Sequence, residues 1–362
     1  MKKSIQFANI MLLLIIATSC TFFSRNREPE LKDKGDMYRI LHYASLAGSS
    51  HNTQPWKAAV FGEDSILIFA DTSRLLPVVD KTGRELFISI GAFIENLSAA
   101  ANCLGYQTVI NQNPSDDPLS KPVASVRLYK SANQKAGFSL SDLELRTTLR
   151  IPFDTVPVNQ PDWESLVGLD TAHIHFISSA SAEGKRIAEN EYEAFAIQSR
   201  NELAKEELAN WIRFSNKDVK GKRDGLTPAG MGIKGIGGFV VRNTFKPEDS
   251  KKASFVEQGI EKTKKQVEHC GGWIIITQET DNREGWIKAG RLYERLNLSC
   301  RKLHLGFHPM NQIIEEAAFE NKLNHELKFR GNIRFIARIG YVNDYPGPVS
   351  LRRSVDSFSI FN

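Results

Sequence analysis

The apolar positions divide the chain into a short leader and a long folded part. Ile10 to Ala17 is an unbroken apolar run behind Lys2 and Lys3. It is short for a bilayer-spanning helix and has the layout of an export signal. Beyond it, apolar residues at helical spacing predict helices over 35–47, 84–104, 181–214 and 287–305. In the second of these, Phe87, Ile90, Ile94, Leu97 and Ala101 form one continuous stripe. Strand patterns fall at 58–70, which ends in Ser65-Ile66-Leu67-Ile68-Phe69-Ala70, and at 123–129, 174–178, 273–277 and 334–342. Long helices among scattered strands predict an α+β sandwich, with helices covering an antiparallel or mixed sheet. Residues 218–238, rich in Gly, Lys and Asp, read as a long loop and a candidate lid.

The same pattern contains a weak internal repeat. Asn96-Leu97-Ser98 is followed at fixed spacing by Leu104-Gly105-Tyr106, and Asn297-Leu298-Ser299 by Leu305-Gly306-Phe307. Each segment reads as a helix that stops at its glycine, the expected C-terminal cap. Two related halves follow, 36–140 and 141–362.

Composition changes this picture little. With 41% hydrophobic and 25% charged residues the chain is ordinary globular material. A net charge of +5 with no basic run interleaved with aromatics gives no support for nucleic acid. The leader is more informative. Ala17-Thr18-Ser19-Cys20 resembles a bacterial lipobox, which makes residues 1–20 a lipoprotein signal peptide and Cys20 the lipidated residue. An ordinary signal peptide with a chance cysteine is the alternative. Residues 21–35, polar and charged, read as a tether. The expected location is the bacterial envelope, membrane-anchored through lipid. Cys103 and Cys300 sit in apolar helical patterns as buried thiols. With Cys270 they leave open whether one disulfide forms, and between which pair.

Candidate chemistry lies in four segments. Ala47-Gly48-Ser49-Ser50-His51-Asn52-Thr53-Gln54-Pro55-Trp56 follows a helix and leads into a strand. Its hydroxyls, amides and imidazole on one short turn suit hydrogen bonding to a polar heterocycle or polyol. Leu75 to Asp80 with Gly83-Arg84-Glu85 reads as a turn and helix start, Arg84 being a lesser functional candidate. Arg146-Thr147-Thr148-Leu149-Arg150 places two guanidiniums either side of a hydroxyl, a geometry for clamping phosphate. The fourth runs from Phe335-Ile336-Ala337-Arg338-Ile339-Gly340-Tyr341 through a Pro-containing turn to Arg352-Arg353. Arg338 reads as structural.

Together these segments resemble the nitroreductase superfamily, most closely its internally duplicated Acg-like branch. The first is similar to a Pro-Ser-Ser-x-Asn-x-Gln-Pro-Trp loop, with Gly48 in place of Pro. The third is similar to an Arg-x-Ser-x-Arg/Lys element, with Thr148 in place of Ser. The fourth is similar to the family's last strand and terminal basic pair. Lys222-Arg223-Asp224-Gly225-Leu226 resembles an Asp-Gly loop of the branch, and Asp224 reads first as a turn residue. The resemblance implies a pseudo-dimer within one chain, monomeric in architecture, with one FMN between the halves. Ser49, Ser50, His51, Asn52 and Gln54 would contact flavin from the first half. Arg146, Thr148, Arg150, Arg352 and Arg353 would hold its phosphate from the second. It implies ping-pong electron transfer to nitro, quinone or similar small-molecule acceptors, with flavin rather than a side chain as the reactive group. NAD(P)H is the family's donor. An exported protein meets little soluble nicotinamide, so the donor stays open, and a non-catalytic lipoprotein that binds or sequesters flavin under a lid is the alternative function.

Other readings lack support. Gly230-Met231-Gly232-Ile233-Lys234-Gly235 spells a dinucleotide fingerprint without the strand that must precede it. His304 and His308 straddle helix breakers, and His173 and His175 lack carboxylate company, so no metal site is expected. No Gly-x-Ser-x-Gly elbow is present.

Overall fold

The computed structural model describes residues 31, 33–112, 121–131 and 136–362. The expected signal peptide, Cys20 and most of the tether lie outside the described residues. The elements run α1 (Asp36–Ser45), β1 (Trp56–Phe61), β2 (Ser65–Ala70), α2 (Arg84–Cys103), β3 (Tyr106–Gln112), β4 (Ala124–Lys130), α3 (Leu140–Leu145), α4 (Gln160–Val167), β5 (Ile174–Ser178), α5 (Ala182–Arg200) and α6 (Glu202–Trp211). They continue with α7 (Asn216–Lys222), α8 (Gly235–Thr244), α9 (Ala253–Glu268), β6 (Gly272–Gln278), α10 (Arg283–Lys302), β7 (Leu305–Pro309), α11 (Gln312–Glu315), α12 (Ala317–Leu327), β8 (Asn332–Tyr341) and β9 (Ser359–Phe361). This is the expected α+β architecture.

Two sheets form, in the orders β3-β4-β2-β1-β9 and β5-β6-β8-β7. Without β9 they share one plan. In each, a central strand (β2 or β6) leads to a twenty-residue helix (α2 or α10), then to an edge strand and back to the centre. The two helices lie against each other between the sheets, and their backbones nearly touch. A Cβ on Gly91 would stand 2.2 Å from the Ile287 carbonyl oxygen, and one on Gly290 would stand 2.0 Å from that of Ile88. These contacts are reciprocal: Gly91 corresponds to Gly290 as Ile88 does to Ile287. The same constant offset pairs Arg84 with Arg283 and Cys103 with Lys302, the helix ends.

That offset corrects the repeat register. Gly105 holds the left-handed turn after α2, with φ +83°, but its counterpart after α10 is His304, φ +59°. Gly306 lies inside β7, where a Cβ would strike the Phe153 ring at 2.5 Å. The Leu-Gly match is therefore two residues away from the structural correspondence.

Other boundaries moved for local reasons. The expected strand over 58–70 is a hairpin, β1 and β2, paired antiparallel from Trp56↔Ala70 to Phe61↔Ser65. The expected helix over 181–214 breaks at Asn201, whose side chain caps α6 by accepting from the Leu203 and Ala204 amides. Residues 218–238 include part of α7 and the start of α8 rather than one loop. After β8 the chain returns to the first sheet, where β9 pairs in parallel with β1 (Ala58↔Ser359). The division at residue 140 is therefore crossed by this tail. Cys103, Cys270 and Cys300 are all free thiols, Cys103 half-buried and the others buried.

Candidate functional site

Four loops converge on one pocket. Gly48, Ser49 and Asn52 come from the loop between α1 and β1. Arg146 to Thr148 and Arg150 follow α3. Leu226 and Gly230 precede α8, and Pro348 to Ser350 with Arg352 lie on the tail from β8 to β9. The cavity they line is small, about 60 Å³, and opens to solvent.

The local chemistry of the first loop follows from what it packs against. Tyr293 of α10 lies so close to Gly48 that a Cβ there would stand 1.8 Å from its hydroxyl oxygen. The Gly48 amide also donates to Glu294 Oε2 at 3.2 Å. Proline lacks that donor and carries that carbon, which explains the departure from the family's usual Pro. Ser49 Oγ accepts from the Gln54 amide at 3.0 Å, so the loop closes on itself. His51, Asn52 and Gln54 all hold positive φ, near +50°. Burial, and after it the nearby Arg150 charge, lowers the His51 pKa to about 4. Its imidazole is neutral at physiological pH, and its buried Nδ1 has no hydrogen-bond partner.

The cationic wall is built differently at each position. Arg146 is buried and ion-pairs at 3.1 Å with Glu294, itself fully buried. Its guanidinium also donates to the Leu46 carbonyl, while Nη1 is buried without a partner. Burial pushes the Glu294 pKa up, and Arg146 opposes the shift. Arg150 donates to the Gly230 carbonyl at 3.1 Å, and among the described residues it has no carboxylate in ion-pair contact. Burial lowers its pKa. Behind it, Lys262 of α9 donates to the Met231 carbonyl. Burial first, then Arg150, Arg338 and Lys234, lowers the Lys262 pKa to about 8. Arg352 reaches across to the Leu46 and Ala47 carbonyls, each at 3.2 Å. Three arginines line this region against one lining carboxylate, Glu144, with Glu294 buried behind Arg146, so the balance of charge favours an anion.

The structure thus brings together Ser49, Asn52, Arg146, Thr148, Arg150 and Arg352 on one pocket wall. Four expected residues fall outside that lining. Arg353 turns away from the pocket and is buried, bonded to Asp71 at 2.9 Å and to the Trp56 carbonyl at 2.9 Å. Gln54 is fully buried; its Oε1 accepts from the Arg353 amide and its Nε2 donates to the Arg223 carbonyl. Both are tail fasteners, because side chains of adjacent residues in an extended segment point opposite ways. Ser50 is tied through its amide to Ser89 Oγ at 3.2 Å, and His51 sits behind the lining. Sequence reasoning missed Gly230, Ser350 and Glu294. None of the three carried a distinguishing signal in the sequence, Glu294 lying among Arg291, Asn297 and Leu298 on its helix face.

Several secondary readings are now placed. Asp224 is more than a turn residue: it is buried and bridges Arg74 (2.9 Å) and Arg213 (3.0 Å). Arg84 is an internal link, bonded to Glu320 at 3.0 Å and to the Ile314 carbonyl. Arg338 is a core residue held by His308 and two carbonyls. His173 pairs with Asp170 and Glu279, and His175 with Thr277. Among the described residues no cluster suits a metal ion.

No family model matches the chain. A Mycobacterium tuberculosis protein provisionally named NAD(P)H nitroreductase acg is 28% identical over 148 residues, 38% of this chain and 43% of that protein. The matched stretch is thus less than half the length of that relative. A Serratia protein named as a probable NAD(P)H nitroreductase, PigM, is 25% identical over 331 residues, 84% of this chain and 88% of that one. Among solved structures, the FMN-dependent nitroreductase NfnB from Mycobacterium smegmatis, in complex with NADPH, aligns with TM-score 0.40 and 13% identity. The alignment spans 61% of this chain and 96% of that one. The motif loops and the Serratia relative, which aligns over most of both chains, make this chain similar to the nitroreductase superfamily.

Proposed function

We propose that the chain is an FMN-dependent oxidoreductase of nitroreductase type, its two halves forming a pseudo-dimer with the flavin between them. The observation that carries the reading is the wall of Arg146, Arg150 and Arg352 around one pocket. Arg146 keeps a buried, unpartnered Nη1 there, and among the described residues Arg150 has no carboxylate in ion-pair contact. A phosphate carrying nearly two negative charges satisfies both. Ser49, Thr148 and Asn52 supply neutral donors and acceptors beside it, as a ribityl chain requires. Bound flavin would supply the hydride and electron chemistry. The protein's part is to hold it, neutralise its phosphate and exclude water through the 226–234 loop. NAD(P)H as donor and nitro compounds or quinones as acceptors follow from the relatives' names and the family resemblance.

We further propose that the mature chain is a lipid-anchored envelope protein, on the strength of the apolar run and Cys20. That location favours keeping a second reading, flavin binding without turnover. Purified protein is expected to be yellow and to release FMN on denaturation. Arg150→Ala should weaken FMN binding about tenfold to a hundredfold and leave riboflavin binding unchanged. A colourless protein that does not take up FMN overturns the flavin assignment. Anaerobic bleaching by NADPH followed by reoxidation with a nitroaromatic or a quinone supports turnover, and failure with every donor favours the second reading.

A further inference from the structure

Most large apolar side chains of this molecule are buried, but α8 presents an exposed apolar face. Ile236 is 85% exposed, Phe239 62% and Val240 43%. They sit at i, i+3 and i+4, one side of the helix. Its other side is seated: Gly238 is buried, and Val241 and Phe245 are half-buried. Residues 225–247 contain no Asp or Glu, and their cations are Lys234, Arg242 and Lys246. None of the three has an ion-pair partner among the described residues. A contiguous apolar face flanked by basic residues is the pattern of a helix lying in a lipid headgroup region.

Charge decides between occupants. A second copy docking through the same face would set Lys234, Arg242 and Lys246 against their own counterparts. The apolar leader run of this chain arrives with Lys2, Lys3, Arg25 and Arg27 and no carboxylate before Glu28. Both bring positive charge to a positive patch, whereas an anionic bilayer is complementary to it.

We propose that α8 is a membrane-docking helix that inserts Ile236, Phe239 and Val240 into an anionic lipid surface, with Lys234, Arg242 and Lys246 at the headgroups. The contact is additional to any lipid anchor and does not depend on flavin.

The test uses the full chain carrying Phe239→Cys with a nitroxide label, corrected for labelling of the native cysteines. It is mixed with phosphatidylcholine vesicles with or without a quarter of phosphatidylglycerol. In the anionic vesicles the label should collide preferentially with oxygen over a water-soluble nickel chelate. A control label at exposed Glu63 should keep the aqueous pattern. Arg242→Gln should weaken docking of α8 about fivefold while the chain keeps its fold, read by circular dichroism. A label at 239 that stays aqueous in anionic vesicles overturns the proposal. So does one already shielded without vesicles, which would assign the face to a second copy or to the leader.

Discussion

The helices α2 and α10 occupy equivalent places in the two halves, yet equivalent carboxylates on them do different work. Glu294 on α10 is fully buried and meets Arg146, which a loop brings in from outside the helix pair. Its counterpart Glu95 on α2 meets Arg291 (2.9 Å) and Arg295 (2.8 Å), both on α10 and both about a third exposed. At Glu294 the helix pair therefore meets an arginine of the pocket wall, and at Glu95 the corresponding position is closed by the helices' own charges. Glu85 and Glu284 repeat the contrast near the helix starts. Glu85 is buried against Asn311 and close to Glu315, whereas Glu284 is exposed beside Lys288. Two halves in one polypeptide are free to diverge in this way, which identical subunits are not.

Substitutions can break this contrast in order of expected effect. Arg146→Ala strands Glu294 as a buried unpaired charge, and should cost about 3–5 kcal/mol in denaturant unfolding. A loss under about 1 kcal/mol would mean that Glu294 is neutral in the native state. Gly91→Ala and Gly290→Ala should each cost about 1–3 kcal/mol by forcing the helices apart. The reciprocal contacts predict similar losses at the two sites, and a several-fold disparity would dispose of the symmetry.

The acids come next. Burial, and after it Glu315, raises the Glu85 pKa to about 8; burial raises that of Glu315 to about 7. For an acid whose folded pKa is raised, the native state holds protons that the unfolded chain releases. The stability this gives is complete below about pH 4.5 and is lost as pH rises through about 7 to 8. Thermal unfolding should therefore shift down by several degrees between pH 5 and 9. Glu85→Gln should flatten the profile and Glu284→Gln should leave it unchanged; equal profiles in both variants would contradict the buried assignment. The smallest effect is expected at Glu95→Gln, at most about 1 kcal/mol, because its arginines are partly solvated and screened.

How much was legible follows from what each residue contacts. Apolar runs such as Trp273 to Thr277 announced their strands because β6 is buried along its whole length. Tyr106 to Gln112 escaped notice because β3 is an edge strand with alternate residues exposed and five polar side chains, counting Tyr106. The repeat was visible as letters, but its register was not: Gly306 serves strand packing while His304 makes the turn. At the site, the motif loops named the right segments. They could not say that Arg352 faces the pocket and Arg353 the core, since that depends on Asp71 and Trp56, far away in sequence. Gly48, a mismatch as a letter, makes sense only beside Tyr293.

The return of the tail also constrains the order of assembly. Ala58 pairs with Ser359, and between β8 and β9 the same tail delivers Arg352 to the pocket and Arg353 to Asp71. The first sheet can thus gather its own four strands early during synthesis, but its edge beside β1 waits for residues some three hundred positions later. Contacts of such sequence separation close slowly. Until they do, the β1 edge is open to pairing with other chains, and the pocket lacks one of its walls. Ligand capture and protection from aggregation would then mature in a single late event.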